Sequence, residues 1–276
     1  MFEYVREAGR IYRQKGGFQL IRESIQFLRN LPIELFYVAK GYKSLTVADV
    51  TVEVSIPDRS AVRSVRFARE SEYELMELLV NELQPEDVFL DVGSHIGIIA
   101  GFVSEAEPDS RVIAVEPYPP NVEALRETAK RSGGAPIEII QQPLSDTSEE
   151  ISLSTPDLPG TRGLSSIAKD VGGSSINVES ITGDELVNSG RIPQPNIIKI
   201  DVEGAEGKVI DGLKETLKSP DCRLVICEVH LTHSDEDSDV YLAKIESKLD
   251  EAGFQTSILH DRSMEVQIIA RRPEAE

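Results

Sequence analysis

Residues 87–97, DVFLDVGSHIG, constrain the fold of this chain more than any other segment. An apolar run from Val88 to Leu90 ends in Asp91 and is followed by Gly93 and Gly97. This order predicts a buried strand, a tight turn, and a helix whose first backbone N–H groups point outward. Because glycine has no Cβ, we expect a ligand to approach the backbone closely at this turn.

A second apolar run, residues 112–115, ends in Glu116, nineteen residues after Gly97. A carboxylate at the end of the second strand of such a unit can accept hydrogen bonds from ribose hydroxyls. An ordinary strand–turn–helix is the alternative interpretation of the two glycines, and the position of Glu116 favours a nucleoside site. The chain lacks G-x-G-x-x-G, which favours S-adenosylmethionine over a dinucleotide.

Composition narrows the class of protein. The formal charge of −19 and a pI near 4.7 argue against nucleic acid as a partner, because a phosphate backbone requires a basic surface. Cys222 and Cys227 are expected to be core residues in a reducing compartment. His233 and residues 235–237 resemble a solvated loop, and no consistent ligand spacing predicts a metal site. With no membrane-length apolar stretch and no secretory signal, we predict a cytoplasmic protein.

Residues 1–45 differ from the rest, since they carry eight Lys/Arg and only four Asp/Glu. Apolar residues recur there at helical spacing on either side of a break at Gly16 and Gly17, which predicts one or two amphipathic helices. Such helices usually pack on their own domain or on a second subunit. The alternative is peripheral contact with an anionic inner membrane face. We predict an N-terminal extension over residues 1–70, including a hairpin or edge strand at 46–58, and one domain over 71–276.

From residue 72 onward, apolar segments of strand and helix length alternate. Strands are predicted at 87–92, 111–116, 137–141, 196–201, 222–229, 254–260 and 264–270, and helices at 72–83, 97–106, 119–131, 204–217 and 238–252. This alternation predicts an α/β fold with a mostly parallel sheet of seven strands and an antiparallel hairpin at one edge. Residues 154–177, rich in Ser and Gly, are predicted to form a loop that covers the site.

A second dense segment is IIKIDVEGAE, residues 197–206. Charged Lys199 and Asp201 at the carboxyl end of a strand are costly in a core, and therefore indicate a functional crevice. Glu203 and Glu206 open the next helix, where the helix dipole alone could account for them. Glu228 and His230 end the following strand.

Together these segments resemble the FkbM family of methyltransferases. The resemblance covers residues 88–230 and rests on VFLDVGSHIGIIA at 88–100, VIAVEPYPPNVEALRET at 112–128, QPLSD at 142–146, IIKIDVEGAE and ICEVH at 226–230. It implies a Rossmann-like class I methyltransferase fold, S-adenosylmethionine as cofactor, and methyl transfer to an oxygen of a saccharide or other small molecule.

The resemblance also implies roles for individual residues. The cofactor-binding set would be Asp91, Gly93, Ser94, His95, Gly97, Glu116, Pro117, Leu144, Ser145 and Asp201. Glu116 would hold the ribose, Leu144, Ser145 and Asp146 would border the adenine, and Asp201 would lie near the methionine end. Two departures stand out: His95 replaces a common Asn, and Thr182-Gly183-Asp184 replaces T-L-D, which is expected to loosen the helix that begins there.

Methyl transfer from a sulfonium requires alignment and, for a hydroxyl acceptor, a base that takes the proton. A carboxylate acceptor needs no base. The candidate catalytic residues are Asp201, Glu228 and His230, and also Lys199 if burial lowers its pKa. Asp201 is the residue that we predict to be essential. Two other functions stay open: a nicotinamide-dependent oxidoreductase, and a non-catalytic scaffold that keeps the fold.

Overall fold

The computed structural model describes residues 17–155, 174–232 and 237–273. The helices are α1 (Gly17–Lys40), α2 (Arg59–Ser71), α3 (Tyr73–Glu82), α4 (Ile98–Ala106), α5 (Pro119–Arg131), α6 (Gly183–Asn188), α7 (Glu206–Gly212), α8 (Lys214–Lys218) and α9 (Ser238–Glu251). The strands are β1 (Tyr42–Val47), β2 (Val50–Ser55), β3 (Val88–Val92), β4 (Arg111–Val115), β5 (Ile137–Ile140), β6 (Glu150–Thr155), β7 (Ser174–Glu179), β8 (Ile197–Ile200), β9 (Leu224–His230), β10 (Gln255–Arg262) and β11 (Glu265–Arg271).

Seven strands form the central sheet in the order β10-β11-β9-β8-β3-β4-β5. The five strands from β9 to β5 run parallel, while β11 is antiparallel to β9 and β10 is antiparallel to β11. β3, β8 and β9 are buried along their whole length, because helices cover both faces of a parallel sheet. The predicted mostly parallel seven-stranded sheet with an antiparallel edge hairpin is confirmed.

The chain before the sheet packs on the same hydrophobic core. β1 and β2 form a hairpin whose two turn residues, Ala48 and Asp49, have positive φ angles of 47° and 64°, as a tight two-residue turn requires. Val52 and Val54 lie in one cluster with Phe89 and Phe102. The boundary between residues 70 and 71 stays a prediction.

Helix α1 spans Gly17–Lys40. Residues 1–16 lie outside the described part, so the predicted break at Gly16 and Gly17 stays a prediction. The helix exposes Leu28, Ile33, Leu35 and Phe36. In the described ranges, no helix combines the length and the apolar character needed to cross a bilayer. Membrane or subunit contact through this segment stays a prediction.

Helix α2 is a structural element that our sequence analysis missed. Asp58 caps its first turn by accepting hydrogen bonds from the backbone N–H groups of Ser60 and Ala61. Val62 and Val65 are buried at helical spacing, so the opposite side of the helix faces the carboxyl edge of the sheet. The prediction of a single helix over 204–217 was also wrong, because the segment divides into α7 and α8 at Leu213.

The predicted loop over residues 154–177 is partly wrong. Its two ends belong to β6 and β7, which pair antiparallel from Glu150 opposite Glu179 to Thr155 opposite Ser174. Residues 156–173, the centre of the predicted lid, lie outside the described residues. Leu153 of β6 nevertheless reaches the cavity described below.

The TGD sequence at 182–184 is accommodated without loss of the helix. Thr182 accepts a hydrogen bond from the Glu185 N–H, which caps α6. A Cβ on Gly183 would lie 2.1 Å from Leu213 Cδ2, so a larger residue would have to displace that core side chain. Asp184 accepts from the backbone N–H groups of Glu215 and Thr216, at 2.9 and 2.7 Å, and from the Thr216 hydroxyl.

Replacement of Asp184 with alanine is therefore expected to lower the free energy of unfolding by about 1–3 kcal/mol, because three donors lose their acceptor. Urea denaturation measures the change. Asp221→Ala, which removes an exposed carboxylate, is the control and is expected to cost less than about 0.5 kcal/mol. Equal losses of unfolding free energy in the two variants would contradict a stabilising role for the hydrogen bonds from α8 to Asp184 in α6.

Candidate active site

The carboxyl ends of β3, β4, β8 and β9 border a cavity of about 480 Å³, and α2 forms part of the opposite wall. This is where ligands bind in open parallel sheets. Of the predicted site residues, those that line it are Asp91, Gly93, Ser94, His95, Glu116, Pro117, Leu144, Lys199, Asp201, Glu228 and His230. Gly97 and Ser145 are not among the residues that line the cavity, and their contact with a ligand stays a prediction.

The two glycines of the turn serve chain packing, and this corrects our explanation of them. A Cβ on Gly93, which has a φ of +87°, would lie 1.8 Å from the backbone oxygen of Asp201. A Cβ on Gly97 would lie 2.4 Å from Leu125 Cδ1 in α5. Glycine is therefore required because backbone or core atoms, rather than a ligand, occupy the space beside each Cα.

Glu116 is held at the floor of the cavity beside that turn. Its Oε2 accepts from the His95 N–H at 2.8 Å, and its Oε1 accepts from the Tyr118 N–H at 2.9 Å and from Asn121 Nδ2 at 3.3 Å. Burial raises the pKa of Glu116 to about 7, although the backbone hydrogen bonds from Tyr118 and His95 oppose the rise. The predicted proximity of Glu116 to the glycine turn is confirmed, and His95 contributes to it through its backbone.

Asp91 and Lys199 lie side by side on β3 and β8. Asp91 is 1% exposed, and within the described ranges neither of its carboxylate oxygens has a hydrogen-bond partner. Burial raises the pKa of Asp91, against the pull of the Lys199 ammonium. For Lys199, burial acts to lower the pKa, but Asp201, Asp91 and Glu228 outweigh it and raise the pKa. Lys199 therefore stays charged, and the condition under which it could act as a base is not met.

The imidazole of His230 is surrounded by four carboxylate groups, those of Asp201, Glu203, Glu206 and Glu228. Its Nδ1 is 2.8 Å from Glu206 Oε1, and its Nε2 lies 3.8 Å from both Asp201 Oδ1 and Glu228 Oε1. Glu206 is fully buried and also accepts from the Tyr241 hydroxyl at 2.7 Å. The dipole of α7 alone therefore does not account for Glu206, because its carboxylate orients His230.

These contacts decide which group can accept a proton at neutral pH. Burial acts to lower the pKa of His230, but the hydrogen bond to Glu206 and the charges of Asp201 and Glu203 raise it to about 10. Burial, reinforced by Asp201, raises the pKa of Glu228. Among Asp201, Glu203 and Glu228, only Asp201 has a lowered pKa, because Lys199 and His230 outweigh its burial. In this arrangement His230 is protonated and Asp201 is ionised.

Several lining residues were not predicted. α2 contributes Arg63, Ser64, Phe67 and Ala68, and other positions contribute Glu72, Asn121, Glu203 and Glu265. The signal for α2 was present in Asp58, a good helix cap, and in the spacing of Val62, Val65 and Ala68. No local pattern, however, places that helix across from the carboxyl ends of the strands.

A family model and a relative of 33% identity indicate the family of this chain. The model of the methyltransferase FkbM domain matches residues 91–256. The hexuronic acid methyltransferase AglP of Haloferax volcanii is 33% identical over 201 residues, which cover 73% of this chain and 77% of that protein. The 31-O-demethyl-FK506 methyltransferase FkbM of Streptomyces tacrolimicus is 26% identical over 67% of this chain and 84% of that protein. The crystal structure of a methyltransferase FkbM from Methylobacillus flagellatus aligns with a TM-score of 0.44 and 15% identity, over 89% of this chain and 60% of that one.

Proposed function

The chain belongs to the FkbM family of methyltransferases, and on that premise we propose that it transfers a methyl group from S-adenosylmethionine to an oxygen of a hexuronic acid in a saccharide. The observation that carries the cofactor assignment is Glu116, whose carboxylate is fixed at the cavity floor by the backbone of His95 and Tyr118. Ribose hydroxyls are the donors that such a carboxylate recognises at the end of a second strand.

The charge of the cavity supports the same cofactor. Asp91 presents two buried carboxylate oxygens without a partner among the described residues, next to the turn that begins at Gly93. Buried acceptors of this kind favour a ligand that brings a cationic donor, and the methionine part of this cofactor carries an ammonium group. When bound, the cofactor supplies a methyl group on a sulfonium. Asp91 would accept from the ammonium, and Leu144 would contact the adenine.

The acceptor assignment is supported by two side chains of α2 and by the Haloferax relative. Arg63 and Phe67, one helical turn apart, both line the cavity. A guanidinium is suited to bind a carboxylate through paired hydrogen bonds, and an exposed aromatic ring offers a flat apolar face to the C–H groups of a sugar. A 33% identical relative is named for hexuronic acid methylation, which is the substrate class that these two side chains fit.

The roles of the remaining residues follow from their protonation. If the acceptor atom is a hydroxyl oxygen, its proton would go to Asp201, the group whose pKa is lowered. Lys199 donates a hydrogen bond to Asp201 Oδ2 at 3.0 Å and so fixes its orientation. If the acceptor atom is a carboxylate oxygen, no proton has to move, and Asp201 positions the acceptor.

The test is methyl transfer from labelled S-adenosylmethionine to an oligosaccharide that contains glucuronic acid. A matched oligosaccharide with glucose in its place is the control. We expect label in the first only. Label released by mild alkali identifies a methyl ester, and alkali-stable label identifies an ether. Cofactor binding without transfer to either oligosaccharide would overturn the acceptor assignment.

Cofactor affinity is expected to fall about tenfold between pH 8 and pH 6. Burial raises the pKa of Glu116 to about 7, and ribose hydroxyls donate to the ionised carboxylate. Lowering the pH through 7 protonates Glu116, so each pH unit below the pKa costs up to about tenfold in binding. Calorimetric titration at pH 6, 7 and 8 measures it.

Glu116→Gln keeps the shape of the side chain and removes its titration, so it is the control. It is expected to bind weakly at every pH, without the slope of the parent protein. An identical slope in both proteins would show that another group titrates and that Glu116 is not the ribose ligand.

A further inference from the structure

Three carboxylate oxygens surround the Nε2 atom of His230 beside β8 and β9. His230 Nε2 lies 3.8 Å from Asp201 Oδ1, 3.8 Å from Glu228 Oε1 and 3.7 Å from Glu203 Oε2. One donor atom each from Asp201, Glu228 and His230 can be chosen so that all lie within 4.8 Å of one another. These separations exceed hydrogen-bond length. They match ligands around one ion, because bonds of about 2.1–2.4 Å place neighbouring ligands roughly 3–4 Å apart.

Each of the three residues has its other polar atom anchored by an outer partner. His230 Nδ1 is bound to Glu206 Oε1 at 2.8 Å, and Asp201 Oδ2 accepts from Lys199 Nζ at 3.0 Å. Glu228 Oε2 accepts from Gln267 Nε2 at 3.2 Å. Outer hydrogen bonds that fix the orientation of a histidine and its neighbouring carboxylates are characteristic of protein metal sites.

Most of the ionisable groups around the cluster are carboxylates. Asp201, Glu203 and Glu228 face His230, and Lys199 is the ammonium bound to Asp201. Asp91, beside Lys199, adds a buried carboxylate whose oxygens have no partner in the described part of the chain. A set of one imidazole nitrogen and two or three carboxylate oxygens suits Mn²⁺, which accepts both ligand types.

We propose that Asp201, Glu228 and His230 bind one divalent cation of the Mn²⁺ class at the inner end of the cavity, and that the cation displaces the proton of His230 Nε2 as it binds. Sequence reasoning predicted no metal, because it looked for regular ligand spacing near His233, whereas these ligands come from the ends of two neighbouring strands. The role of the cation in catalysis, although not its binding, rests on the proposed function. The cation would bind acceptor oxygens and lower the pKa of a bound hydroxyl, so that less is required of a protein base.

Titration of the full-length chain with MnCl₂ tests the site. Binding is measured by calorimetry and by the decrease of the electron paramagnetic resonance signal of free Mn²⁺. We expect one Mn²⁺ per chain and at least tenfold weaker binding in Glu228→Gln, which keeps the size of the side chain. His260→Gln is the matched control, because His260 does not line the cavity and its Nε2 lies 3.8 Å from Glu74 Oε2. It is expected to bind Mn²⁺ like the parent protein.

Folded parent protein that binds no Mn²⁺ overturns the proposal, and so does unchanged binding in Glu228→Gln. If that variant does not fold, Asp201→Asn replaces it, and the titration of the parent protein stays decisive. S-adenosylmethionine is titrated into the same samples. Cofactor binding without Mn²⁺ binding overturns the metal site alone, whereas Mn²⁺ binding without cofactor binding overturns the proposed function.

Discussion

Replacing Gly93 with alanine is expected to lower the free energy of unfolding by about 3 kcal/mol and to abolish cofactor binding. Gly93 has a φ of +87°, and a Cβ there would lie 1.8 Å from the backbone oxygen of Asp201. The left-handed conformation costs a residue with a Cβ about 1–2 kcal/mol, and the overlap with an immobile backbone atom adds about 1–3 kcal/mol. Relief of the overlap requires the turn after β3 to move away from the segment after β8. Urea denaturation and calorimetry measure the two effects.

Gly41→Ala separates the overlap from the conformational strain. Gly41 has a nearly equal φ of +81°, but nothing lies within 4 Å of a Cβ built there. This variant is expected to lose about 1–2 kcal/mol and to keep its cofactor affinity. If both variants lose the same unfolding free energy and both still bind the cofactor, the contact between the turn after β3 and the segment after β8 does not determine the shape of the cavity.

Replacing Lys199 with methionine is expected to cost about 3–5 kcal/mol of unfolding free energy at pH 7.5. Lys199 is 4% exposed, and its ammonium lies among the carboxylates of Asp91, Asp201 and Glu228. Methionine fills a similar volume, so the loss arises from the buried carboxylates, which must either stay charged without a counterion or take up protons. Burial already raises the pKa of Asp91 and Glu228, and removal of the cation raises it further.

The pH dependence distinguishes this explanation from a packing defect. A carboxylate whose pKa is raised by folding lowers the free energy of unfolding as the pH rises and it loses its proton. The free energy of unfolding recovers when the carboxylate is protonated at lower pH. The difference between Lys199→Met and the parent protein should therefore shrink from pH 7.5 to pH 5. Lys218→Met, which breaks an exposed pair with Glu215, is expected to cost less than about 1 kcal/mol at both pH values. A loss in Lys199→Met that does not change with pH would contradict the role of Lys199 as counterion.

The sheet and the cofactor end of the cavity could be predicted because their signals are local. Strands that are buried on both faces appear as short, mostly apolar segments, and β3, β8 and β9 each do so, with their charged residues near the carboxyl end. Because parallel strands end at one edge, polar residues just after such runs must converge. That rule brings Asp91, Glu116, Asp201 and Glu228 to one cavity.

The features of the site that could not be predicted depend on contacts between residues far apart in the chain. The buried position of Glu206 follows from His230 and Tyr241, which are 24 and 35 residues away. Gly93 is required by a backbone atom of Asp201, and the wall formed by α2 depends on how the N-terminal hairpin packs. Periodicity reports which face of an element is apolar, but not which distant element covers it. Protonation states follow the same contacts, so the pKa of His230 could not be anticipated from its residue type.

The central claim is that the cavity between Gly93 and Glu116 binds S-adenosylmethionine. Calorimetric titration of the complete folded chain tests it most directly, with NAD⁺ at the same concentration as the control nucleotide. We predict one S-adenosylmethionine per chain with a micromolar dissociation constant, and no heat of binding with NAD⁺. A folded protein that shows no heat with S-adenosylmethionine, or that binds NAD⁺ more tightly, would contradict it.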